Sequence, residues 1–135
     1  MRNFLPSPAL SKEEARMKSP LEMAYLGDTI YDLFVRRMLL ERGLNVRAAH
    51  KEAVKLVNAR AQAGFAQRLA GLLEEEETLI YKRGRNAHPH HAAPKAASVA
   101  EYAEATGLEA LCGYLYLTGN LGRLNELLQL LEKGE

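Results

Sequence analysis

Two tetrapeptides constrain the fold of this chain more than any other feature. Ser19-Pro20-Leu21-Glu22 joins an N-cap serine, a proline at the first helical position and a glutamate placed to bond back to the cap. Ser98-Val99-Ala100-Glu101 repeats the capping box without the proline. Elsewhere Ala, Leu, Glu, Lys and Arg dominate, and no alternation of β-branched residues marks a strand. The chain is therefore expected to be all-α. The first box predicts a helix to about Glu41, ended by Gly43, and its apolar residues on almost every side predict a central, buried position. Asn45 is placed to cap a helix through about Asn58, followed by another from Ala59 to about Leu72. Glu74 to Glu77 suit the positive end of a helix that closes near Lys82-Arg83. Residues 84–97, with Gly84, Pro89 and Pro94, read as an exposed loop. The second box opens a helix that Gly107 is placed to interrupt, and Asn120 caps a last amphipathic helix that buries Leu121, Leu124, Leu127, Leu128 and Leu131. Residues 1–18 read as a loose lead-in to a single domain over 19–135.

A length of 135 residues with 47% hydrophobic and 26% charged residues supplies one ordinary globular core. The single cysteine excludes a disulfide framework and a thiolate zinc cluster within the chain. No apolar run approaches the ~20 residues of a membrane span and no signal peptide opens the chain, so a cytoplasmic protein without membrane contact is expected. The net charge of +1 argues at first against a nucleic-acid partner. It hides strong segregation: residues 42–68 carry six bases against one acid, residues 81–99 carry +4 and three histidines, and the acids gather elsewhere. Two basic segments sharing a face would make a footprint for a polyanion; separated, they would be plain solvated helix surface.

Two acids stand in apolar company. On a helical wheel Asp28 lies about 20° from Leu21 and Leu39 and within about 40° of Ala24 and Val35. Asp32 follows one turn later, a mildly unfavourable like-charge pair. Glu109 sits among Leu108, Ala110 and Leu111, and no basic residue lies within one helical turn of either Asp28 or Glu109. A buried carboxylate must be paired, protonated or bound to a cation. One such acid is best explained by a helix N-terminus or an arginine such as Arg36. Two acids beside a basic surface favour a Mg²⁺ site for metal-assisted phosphodiester hydrolysis.

The run Leu21-Glu22-Met23-Ala24-Tyr25-Leu26-Gly27-Asp28-Thr29-Ile30-Tyr31 resembles the signature helix of the ribonuclease III nuclease domain. Leu108-Glu109-Ala110-Leu111-Cys112-Gly113-Tyr114-Leu115-Tyr116-Leu117 resembles that domain's second acidic motif. Ala59-Arg60-Ala61-Gln62-Ala63 and Lys82-Arg83-Gly84-Arg85-Asn86-Ala87 are similar to segments of the short bacterial branch, Mini-ribonuclease III. The four motifs keep their order over roughly residues 19–131. The resemblance implies an all-α homodimeric endoribonuclease that cuts double-stranded RNA with Mg²⁺, Mn²⁺ substituting, and leaves 5′-phosphate and 3′-hydroxyl ends. It implies a role in maturing large-subunit ribosomal RNA precursors, with a ribosomal protein presenting the substrate and no separate double-stranded-RNA-binding domain. By position Asp28 and Glu109 match the catalytic, metal-binding acids. Where the larger ribonuclease III pattern has further acids this chain has Leu21, Ala24 and Thr106, a reduction shared with the short branch that leaves fewer carboxylates to hold ions. Asp32 is at most an outer acid.

For RNA the resemblance points to the loop with Arg83, Arg85, Asn86 and Lys95, whose guanidinium groups suit bidentate phosphate contacts. Arg47, Lys51 and Lys55 add a basic stripe at i, i+4, i+8, suited to the backbone of A-form RNA. His88, His90 and His91 lack an accompanying cysteine or acid and read as RNA contacts or loop rather than a metal site. Cys112 reads as a small buried hydrophobe. Tyr25, Tyr31, Tyr114 and Tyr116 read as core and dimer-interface residues. Two rival readings stand beside the nuclease: a catalytically silent RNA-binding or ribosome-associated protein on the same fold, and a helical protein-interaction module.

Overall fold

The computed structural model describes residues 4, 5, 9–87 and 98–133, and among them every regular element is helical. In chain order these are α1 (Lys12–Arg16), α2 (Pro20–Glu41), α3 (Val46–Val57), α4 (Ala59–Leu69) with a 3₁₀ turn at Ala70–Leu72, α5 (Glu75–Arg85), α6 (Val99–Leu117) and α7 (Leu121–Glu132). Both capping boxes form. The Ser19 hydroxyl accepts from the Glu22 N–H at 3.1 Å while the Glu22 carboxylate accepts from the Ser19 N–H at 2.9 Å. Ser98 and Glu101 repeat this at 3.0 and 3.1 Å. Asn45 and Asn58 accept from the N–H groups of Ala48 and Ala61. Gly43 ends the α2 turn with φ +83°. Asn120 precedes α7 as expected, but its amide turns back to the Thr118 hydroxyl and makes no side-chain cap.

The centre of the molecule is α6, not α2. Helix α6 packs against α2, α4, α5 and α7, and its run from Ala105 to Leu115 is buried except at Glu109. Gly107 does not interrupt it. A Cβ there would stand 2.7 Å from the Tyr81 carbonyl oxygen, and one at Gly84 would stand 2.7 Å from the Ala110 Cβ, so the pair lets α5 lie close on α6. The intrinsic helix penalty of a glycine, about 1 kcal/mol, is small beside the packing it permits. Helix α2 buries one face only, through Met23, Gly27, Tyr31, Val35 and Leu39. Tyr25 is 86% exposed, and Leu21, Leu33 and Leu40 also face solvent. Tyr31 and Tyr114 are core residues, and Cys112 is a buried one at 2% exposure.

Residues 9–18 are not a loose lead-in. Ser11 and Glu14 form a third capping box that starts α1, Ala15 is fully buried, and the Leu10 N–H donates to the Leu117 carbonyl at 2.8 Å. Lys12 and Arg16 hold Glu76 of α5 at 3.1 and 2.8 Å. Glu76 also accepts from the Tyr114 hydroxyl, so α1, α5 and α6 meet at one carboxylate.

Candidate active site

Where α2 crosses α6, peptide groups touch without side chains between them. A Cβ on Gly27 would overlap the Glu109 carbonyl oxygen, and one on Gly113 would overlap that of Met23. This double glycine contact places Asp28, the neighbour of Gly27, beside Glu109, one turn before Gly113. The start of α4 completes the site. A cavity of about 220 Å³ opens there, with Val57, Ala59 and Ala105 as apolar walls and Gln62, Tyr102 and Thr106 as polar ones around Asp28 and Glu109. Among the described residues no Lys, Arg or His lines it.

Asp28 is exposed, against its expected place inside an apolar stripe. Of its wheel neighbours Ala24, Val35 and Leu39 are buried, but Leu21 is not, so Asp28 stands at the rim of the buried face. Gly27, rather than Asp28, occupies the centre of the contact with α6. Arg36 does not neutralise Asp28; it pairs with Asp32 at 3.2 Å.

Glu109 is the strained member of the pair. Burial raises its pKa to about 8, the negative charge of Asp28 adds to the effect, and a hydrogen bond between the two carboxyls holds the proton. The Gln62 side-chain amide on the same wall works in the opposite direction and favours the charged form. Two adjacent carboxyls, with no basic side chain on the cavity wall among the described residues, form a site where either a proton or a divalent cation would offset their charge. Among the described residues no group of three or more His, Cys, Asp or Glu side chains converges. The donor set therefore suits a hard ion that keeps several waters and takes one or two carboxylates, as Mg²⁺ does, and not one needing an all-protein cage.

The other sequence-predicted residues are spread more widely. The segment 42–68 reaches the cavity through Val57, Ala59 and Gln62. Arg47, Lys51 and Lys55 are exposed on α3, with Lys55 bridged to Glu52 at 3.2 Å. Arg83 bonds the Arg16 carbonyl at 3.4 Å and so turns toward α1. Arg85 lies 5.9 Å from the Tyr81 ring centre, and its Nε donates to the Asn86 side-chain oxygen at 3.4 Å. These three residues close α5, whose contact with α6 at Gly107 and Ala110 lies roughly 130° around the helix from Glu109. Lys95 and the three loop histidines fall outside the described residues. Sequence reasoning assigned no role to Gln62, although a signal was present. Gln62 heads the stripe Phe65, Ala66 and Leu69 that α4 buries, a lone polar residue on an apolar face.

The ribonuclease III domain family matches residues 21–120, which span both acids. The chain is 52% identical over 111 residues to the Mini-ribonuclease 3 of Symbiobacterium thermophilum, covering 82% of this chain and 85% of that protein. It is 43% identical to the Mini-ribonuclease 3 of a Thermoanaerobacter species, over 96% of this chain and 92% of the relative. A crystal structure of a Fusobacterium nucleatum protein superposes with a TM-score of 0.80 at 34% identity, covering 90% of this chain and 97% of that one.

Proposed function

The chain belongs to the ribonuclease III family, in its Mini-ribonuclease III branch, and from that premise we propose that Asp28 and Glu109 are the catalytic acids of an endonuclease for double-stranded RNA. The observation that carries the reading is the meeting of these two carboxyls, from helices far apart in sequence, in a cavity with no basic side chain on its wall among the described residues. Structural acids in proteins are given a cationic partner, whereas these are left to recruit one. Both would hold Mg²⁺, with Mn²⁺ as a substitute. When bound, such an ion supplies Lewis-acid stabilisation of the scissile phosphate and activation of water. A cation held by Asp28 and Glu109 would offset the charge that burial disfavours on Glu109.

Duplex RNA would approach along the rim where Asp28 is exposed and where the α3–α4 junction borders the cavity. Arg47, Lys51 and Lys55 then offer a row of phosphate contacts, and Arg83, Arg85, Asn86 and Lys95 a second group. One cavity treats one strand, so cutting a duplex needs two. A second copy of the chain has a surface to use: an apolar groove of about 500 Å³ between α2 and α7, lined by Leu26, Ile30, Leu33, Phe34, Leu121 and Leu128 among others. The products would carry 5′-phosphate and 3′-hydroxyl ends. Large-subunit ribosomal RNA precursor, presented with a ribosomal protein in the cytoplasm, is the substrate this branch implies. No helix among the described residues is long and apolar enough to cross a membrane.

The test incubates long duplex RNA with the protein and Mg²⁺. Wild type should cleave, while Asp28→Asn and Glu109→Gln should bind the duplex and lose roughly 10³-fold in rate, as expected when several kcal/mol of metal-derived stabilisation are removed. Binding without cleavage by wild type, in Mg²⁺ and in Mn²⁺, would overturn the proposal in favour of a silent RNA-binding protein.

A further inference from the structure

Gln62 is 2% exposed, the most deeply buried polar side chain among the described residues. Its place is fixed from two sides. Its N–H bonds the Asn58 carbonyl at 3.0 Å in the capped first turn of α4, and the stripe below it, Phe65, Ala66 and Leu69, is buried in the core. The side chain therefore lines the cavity from a third helix, independent of the two that carry the acids, on the same wall as Glu109, whose charged form it favours. Thr106, the other buried polar residue of the wall, spends its hydroxyl on the Tyr102 carbonyl at 3.0 Å.

The choice of an amide has a chemical consequence. An arginine or lysine at this position would fix Glu109 and also neutralise it, competing with any cation. An apolar side chain would remove the amide that α4 brings to the wall beside Glu109. A glutamine fixes the orientation of the carboxyl with a partial charge and leaves its net charge to a ligand. Groups behind a metal ligand act in this way, and their loss typically lowers metal affinity.

We propose that Gln62 is a positioning residue for the cation site: its side-chain amide orients the Glu109 carboxyl and thereby sets the affinity for a divalent cation, with little effect on bond cleavage once the cation is bound. The inference rests on the assignment of Asp28 and Glu109 as the cation site. Gln62→Met keeps the length and apolar contacts of the side chain and removes the donor. Mn²⁺ titration of the RNA-free protein, followed by electron paramagnetic resonance, should show a dissociation constant raised roughly 10-fold or more over wild type. At saturating Mn²⁺ the cleavage rate of the variant should return to within about threefold of wild type, because the effect lies in binding. A folded Gln62→Met protein that binds Mn²⁺ as tightly as wild type overturns the role of Gln62, and so does a rate loss that saturating Mn²⁺ does not repair. Wild type that binds no Mn²⁺ overturns the underlying site assignment instead, so the two failures are distinguishable. If the variant does not fold, the side-chain amide resonances of Gln62 in wild type decide: a shift on adding Mg²⁺ supports the role, and unchanged resonances overturn it.

Discussion

Two glutamates, Glu77 and Glu109, are both drawn out of solvent, and the molecule treats them in opposite ways. Glu77 meets the Arg123 guanidinium in a bidentate pair at 2.7 and 2.8 Å. Arg123 also reaches the Leu72 carbonyl and Glu126, so the whole cluster is satisfied. The Arg123 hydrogen bonds hold Glu77 below the usual carboxylate range despite its burial. Glu109 receives one neutral amide and a second acid, and burial drives it up to about 8. The contrast teaches that the fold had the means to neutralise a buried acid and used them at α5–α7 but not at α2–α6. Among the described residues Glu77 is held by an arginine, whereas the cavity wall around Glu109 carries no base.

The largest effect is expected at the helix crossing. Gly27→Ala inserts a methyl into the Glu109 peptide group, and α2 and α6 must part. We expect a loss of about 3 kcal/mol in stability by denaturant titration, together with weaker divalent-cation binding. Arg123→Ala should cost about 2 kcal/mol by the same measurement, because it strands Glu77 at 5% exposure. Its cation binding should match that of wild type, since Arg123 is remote from the cavity. Equal effects of the two changes on cation binding would erase the distinction.

The two glutamates also predict opposite responses to pH. For Glu77 the folded pKa is depressed, so its stabilisation is complete above the ordinary value of 4.5 and is lost as pH falls below it. For Glu109 the folded pKa is raised to about 8, so the folded protein binds the extra proton between 4.5 and about 8. Metal-free protein should therefore lose stability as pH rises through that window. Glu109→Gln should raise the melting temperature at pH 8.5 by several degrees and change little at pH 5. Added Mg²⁺ should do the same for wild type, and a melting curve flat from pH 5 to 8.5 would contradict the assignment. The smallest effects belong to the α3 stripe. Replacing Arg47, Lys51 or Lys55 singly by Ala should weaken duplex binding severalfold and lower the salt slope by about 1 each, without touching melting behaviour.

The sequence carried the helices because their signals are local. Capping serines and asparagines, proline at the first turn and acids near a helix start act within four residues, and all but Asn120 among the expected caps bond as their chemistry suggests. The Ser11–Glu14 box shows that the same signal works in a five-residue helix inside a stretch that otherwise reads as a lead-in. What sequence did not carry depends on partners from elsewhere in the chain. Helix α2 looks buried on all sides by composition, yet its contacts with α6 and α3 decide which apolar residues are covered. Gly107 looks like a break until Tyr81 is placed against it. The partner of Glu77 lies 46 positions away, beyond any local pattern. Asp28 and Glu109 were legible as a pair because both lacked a base nearby and both fell in motifs of a known family. Gln62 carried a weaker signal, a lone polar residue on an apolar helix face, and its role emerges only when its neighbour across the cavity is known.

The contact of Gly27 with the Glu109 peptide has a mechanical consequence. Side chains between helices act as springs, because they change rotamer and let neighbours drift as the core softens. Peptide groups in direct contact have no such slack. The separation of the two acids is therefore set by rigid backbone and is insulated from substitutions and heat that loosen packing elsewhere. Such changes should lower the temperature at which the protein fails while leaving the site true until the whole molecule unfolds.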